Sequence, residues 1–93
     1  MENIEKAAEF FKILSDPTRL GIVNLLLQHN YLCVNALTRR LNVTQSAVSQ
    51  HLRILRQIGL VKTERKANFI HYSINPDILL EVKKSISSFL NTV

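Results

Sequence analysis

The stretch from Asn42 to Arg56 constrains this chain more than any other, because it reads as one helix with two different faces. Val48, Leu52 and Leu55 recur at helical spacing and make a stripe that must be buried, with Val43 placed to pack as a staple just ahead of the helix. The opposite side carries Gln45, Ser46, Ser49, Gln50 and Arg53, five hydrogen-bonding side chains of which only one is charged. Thr44 is the expected N-cap, its hydroxyl accepting a bond from a first-turn N–H. The polar cluster therefore falls on the N-terminal turns, where a helix that enters the major groove of DNA meets base edges.

The flanking residues give this helix a setting. Cys33 to about Leu41 reads as a shorter helix with Leu37 and Leu41 inward and Arg39 and Arg40 outward, and Asn42 in the connecting turn tolerates a left-handed backbone. Two helices joined by such a turn make a helix-turn-helix. Upstream, residues 3–14 read as a helix with Ile4, Ala7, Ala8, Phe11 and Leu14 on one side. Asp16 and Pro17 suit the N-cap and first position of a second helix, which runs to about Gln28 or His29 and buries Leu20, Val23, Leu26 and Leu27. Downstream, Gly59 suits the left-handed position that ends a helix. Two strand-like runs follow, Leu60 to Glu64 and Phe69 to Ile74, joined by Arg65-Lys66-Ala67-Asn68, and in the second Ile70, Tyr72 and Ile74 alternate with His71 and Ser73. Asn75-Pro76-Asp77 then restarts helix, with Ile78, Leu79, Val82, Ile86, Phe89 and Leu90 as its apolar stripe.

These elements predict a mainly α fold with a small β-hairpin, a winged helix-turn-helix in the order α-α-α-α-β-β-α, forming a single domain over residues 1–93. The terminal helices carry more apolar surface than a chain of 93 residues easily hides, so they are expected to pair with the same helices of a second subunit. Charge is equally uneven. Between Arg39 and Lys66 lie seven basic residues and one acid, Glu64, whereas the rest of the chain is almost balanced, as expected for a face that binds a polyanion. No apolar run approaches the roughly 20 residues that cross a bilayer, which argues against a membrane partner. The acidic N-terminus lacks the regions of a secretory signal and the one cysteine excludes an internal disulfide, pointing to the cytoplasm. No Ser, His and Asp set can be placed at a common site from the sequence and there is no phosphate-binding glycine loop, so no enzyme and no cofactor are expected.

With these residues in place, the sequence resembles the ArsR/SmtB family of winged-helix repressors. The resemblance rests on Leu14-Ser15-Asp16-Pro17-Thr18-Arg19-Leu20, on Gln45 to Leu52, on Leu55-Arg56 and Ile58-Gly59-Leu60-Val61, and on Tyr72 with Asn75-Pro76, covering about residues 8–77. It implies a homodimer that binds an inverted-repeat operator in double-stranded DNA, represses nearby genes and is released by an effector whose identity the residues do not disclose. By the resemblance, Gln45, Ser46, Ser49, Gln50 and Arg53 look toward the major groove, and Arg65, Lys66 and Asn68 toward the backbone or minor groove. Arg39, Arg40, Thr44 and His51 complete the expected DNA-binding set, His51 through a phosphate contact or, alternatively, in a packing role. Side-chain chemistry agrees independently: Gln can bond bidentately to adenine, Ser to bases or phosphates, and Arg to guanine or phosphate.

The departures concern regulation. Metal-sensing members often pair two cysteines at the start of the third helix; here Cys33 is present and Asn35 stands in the second place. A second family metal site on the last helix would need histidine, and this helix offers Asp77 and Glu81 only, so no metal site is expected. Cys33 is a candidate redox residue, or a small buried hydrophobe beside Leu32, Val34 and Leu37. At the wing tip Ala67 and Asn68 replace a common glycine and arginine, which assigns any left-handed conformation there to Asn68. The alternative function is a winged-helix module for protein–protein assembly.

Overall fold

The computed structural model describes residues 2–91. Met1, Thr92 and Val93 of the expected 1–93 domain lie outside the described residues, as do the side chains of Glu2 and Asn3. The elements are α1 (Glu2–Leu14), α2 (Pro17–Gln28), α3 (Val34–Leu41), α4 (Gln45–Gln57), β1 (Val61–Lys66), β2 (Phe69–Ile74) and α5 (Pro76–Asn91). The order α-α-α-α-β-β-α is that of a winged helix-turn-helix.

Local chemistry sets most boundaries. Asp16 caps α2 by accepting from the Arg19 N–H at 3.0 Å, with Pro17 in the first turn where its missing N–H costs nothing. Asn42 ends α3 in the left-handed region (φ 53°, ψ 47°), and Thr44 starts α4 by accepting from the Ala47 N–H at 3.1 Å. α4 ends in a Schellman motif, with the Leu60 N–H donating to Leu55 O and the Gly59 N–H to Arg56 O. Gly59 has φ +79°, which only glycine adopts without strain. Asn75 then accepts from the Asp77 N–H and opens α5.

Ile22, Val23 and Leu26 of α2, Leu37 of α3, and Val48, Leu52 and Leu55 of α4 form the centre of the core, closed by Leu60, Val61, Val82 and Phe10. Gly21 lets α3 approach α2, since a Cβ there would lie 2.9 Å from the Leu41 side chain. The core differs from expectation on α1 and α2. Phe10 is buried while Ile4, Ala8 and Phe11 face outward, and Ile22 is buried while Leu20 and Leu27 stay more than half exposed. A helix that is apolar over most of its circumference has no unique inward face until its neighbours are placed.

The hairpin also extends further than expected. Arg65 and Lys66 belong to β1, the register pairs Lys66 with Phe69, and the turn is only Ala67-Asn68. Ala67, not Asn68, takes the positive φ, at 54°. A two-residue hairpin needs a left-handed first central residue to match the twist of its strands, and that position falls on Ala67. Leu32 adds an edge to the hairpin by exchanging both backbone hydrogen bonds with Tyr72 at 2.9 Å, which ties the wing to the segment before α3.

Candidate nucleic-acid interface

The two faces of α4 separate as their spacing requires. Val48, Leu52 and Leu55 are essentially sealed from solvent, while Gln45, Ser46, Ser49, Gln50 and Arg53 are all exposed. With no acid in its first turn, the N-terminal end of α4 presents unpaired N–H groups and a positive dipole end compatible with phosphate. Thr44 is exposed and spends its acceptor on the cap, which leaves its O–H free to donate outward.

Basic residues flank this face. Arg39 and Arg40 project from the last turn of α3, and the Arg40 guanidinium approaches His29 Nε2 at 3.4 Å while remaining exposed. On the wing Arg65, Lys66 and Asn68 are exposed, and Lys66 also pairs with Glu64 at 3.2 Å, an exposed contact of small energetic weight. The wing tip lies beside the start of α4: Gln45, Asn68, Phe69 and Ile70 line one shallow groove of about 220 Å³. Cys33 lines the same groove, half-buried at the N-cap position of α3 without a side-chain cap bond. Of the predicted residues, His51 alone turns away from the exposed strip, half-buried against Arg19 and Asp16. Arg19 is the participant that the sequence reading passed over, although it stands inside the Asp16-Pro17-Thr18-Arg19 run.

Asp16 is held away from its ordinary range. Its pKa is lowered, first by the backbone N–H of Arg19 and then by the positive charge nearby. Among the described residues, no three His, Cys, Asp or Glu side chains gather where they could hold a metal, and no helix is long and apolar enough to cross a membrane.

A recognition helix on a buried anchor, a preceding helix across a tight turn and a basic hairpin define the winged helix-turn-helix class of DNA-binding proteins. Comparison with known proteins gives the family. Residues 16–63 match the bacterial regulatory protein, arsR family. An HTH-type transcriptional regulator of Methanocaldococcus jannaschii is 40% identical over 86 residues, covering 92% of this chain and 97% of that one. The arsenical resistance operon repressor of Escherichia coli K12 is 43% identical over 70 residues, covering 75% of this chain and 60% of its own length. Among solved structures, HlyU from Vibrio cholerae N16961 superimposes with a TM-score of 0.75 at 36% identity, covering 99% of this chain and 97% of that one. The chain belongs to the ArsR/SmtB family, and it is a winged-helix DNA-binding transcriptional regulator.

Proposed function

We propose that residues 1–93 act as one domain of a homodimeric repressor, which binds an inverted-repeat operator and is released by an effector. The observation that carries this reading is the uninterrupted exposed strip Gln45, Ser46, Ser49, Gln50 and Arg53, held on a sealed apolar anchor between two basic flanks. In this reading Gln45, Ser46, Ser49, Gln50 and Arg53 meet base edges, and Arg39, Arg40, Thr44, Arg65, Lys66 and Asn68 hold phosphates and groove walls. The dimer is supported by Ile4 and Phe11 of α1 and Leu80, Phe89 and Leu90 of α5, large apolar side chains left exposed on the two terminal helices. A two-fold pair would set its recognition helices roughly 34 Å apart, one turn of DNA.

The test is a salt titration of binding to a duplex selected by the protein from a randomised pool. Specific binding whose affinity falls steeply with salt is expected. Absence of sequence preference at every salt concentration would instead support an assembly module. The direction of control is a separate matter, because relatives include both named repressors and HlyU, named a transcriptional activator. A promoter-reporter assay is expected to show lower transcription in the presence of the protein.

A further inference from the structure

Arg19 links three helices. Its Nε–H donates to the Ile13 carbonyl at 2.6 Å, one of the last carbonyls of α1, which has no partner within its own helix. Its own backbone N–H donates to Asp16 at the start of α2. Its Nη1 lies 3.2 Å from His51 Nδ1 on α4, thirty-two residues away. A guanidinium only donates, so the contact is a hydrogen bond when Nδ1 is the acceptor, and the ring proton then sits on Nε2. That atom lies 3.7 Å from the Asp16 carboxylate, near enough for its N–H dipole to face the negative charge but beyond hydrogen-bond length. The His51 side chain is 21% exposed, whereas Ser49, Gln50 and Arg53 around it are exposed residues.

We propose that His51 is a positioning residue and not a DNA contact. With Arg19 and Asp16 it locks the recognition helix to the α1–α2 junction, and so fixes the angle at which α4 enters the groove relative to the terminal helices. Apolar packing through Val48, Leu52 and Leu55 holds α4 down but resists sliding and rotation weakly, because dispersion and burial are non-directional. The Arg19–His51 bond supplies the missing direction. The inference rests on the DNA-binding reading above and adds a role for residues outside the contact strip.

The experiment is a double-mutant cycle on Arg19→Met and His51→Ala, with His51→Gln as the conservative variant, read by binding to the selected duplex across a salt series. Each single change is expected to weaken binding roughly tenfold, as for loss of a hydrogen bond to a charged group. The double variant is expected to be no weaker than either single one, and the slope of affinity against salt to stay unchanged. His51→Gln, whose amide can accept from Arg19 and donate toward Asp16, is expected to restore most of the binding, which a merely lost packing volume would not explain. Additive losses, unchanged binding in His51→Ala, or failure of His51→Gln to restore it would each overturn the proposal. So would a salt slope reduced by about one in His51→Ala, the mark of a lost phosphate contact. Failure of the unaltered protein to prefer any sequence would overturn the DNA-binding reading itself, and this inference with it.

Discussion

Phe11 of α1 and Phe89 of α5 meet edge to face, ring centroids 6.3 Å apart, yet both rings remain more than two-fifths exposed. The pair braces the two terminal helices within one subunit and leaves an aromatic surface for another. If that surface is the subunit interface, Phe89→Glu is expected to weaken dimerisation by about 2 kcal/mol or more, as for a central aromatic anchor. Sedimentation equilibrium measures it, and an unaltered association constant would remove these rings from the interface. Affinity for a two-half-site duplex is expected to fall in parallel.

Replacing Gln50 or Ser49 by Ala is expected to cost about 1–3 kcal/mol at particular base pairs and to relax preference there. Replacing Arg40 or Lys66 by Ala is expected to weaken all sequences alike and to lower the salt slope by about one. Competition against single-base operator variants separates the two patterns. Uniform losses from both kinds of change would mean that the exposed strip of α4 does not read bases.

The two positive-φ positions around the wing should respond in opposite directions. Gly59→Ala forces a side chain into φ +79° and is expected to destabilise the fold by about 1 kcal/mol. Ala67→Gly relieves the same kind of strain at φ 54° and is expected to stabilise it by a few tenths to about 1 kcal/mol. Thermal unfolding at fixed protein concentration checks both, with equal shifts of the same sign as the contrary result.

Asp16 makes stability depend on pH in a known direction. Its folded-state pKa lies below its ordinary value of 3.8, so the native state favours the carboxylate. The stabilisation is fully present above the ordinary value and is lost as pH falls through the lowered folded value. Asp16→Asn, which can still cap, is expected to flatten the stability profile in that acid window without changing its shape near neutrality. Urea unfolding from pH 6 downward tests it; an unchanged acid limb would mean that other carboxylates dominate.

Much of this molecule is written in short-range chemistry. The caps at Asp16, Thr44 and Asn75, the left-handed Asn42 and the Gly59 stop each act within a few residues, and so are readable without the fold. The two faces of α4 are readable for the same reason, since period and polarity coincide over three turns. The exposure of Gln45, Ser46, Ser49, Gln50 and Arg53 was therefore legible, and that of the basic residues beside them in outline.

Tertiary structure decided what periodicity leaves without a phase. Phe10 and Ile22 rather than Phe11, Leu20 and Leu27 enter the core because α1 and α2 are apolar on more than one side, and only their neighbours select a face. The Leu32–Tyr72 bridge and the placement of the left-handed turn residue at Ala67 follow from strand register, which no local pattern specifies. His51 stands among the polar residues of the recognition helix in sequence, and its contact with Arg19 exists only because folding brings α2 and α4 together. By itself the chain determined that α4 has an exposed polar face to offer; the packing of α1, α2 and α4 decided which of its polar residues are turned inward to hold it.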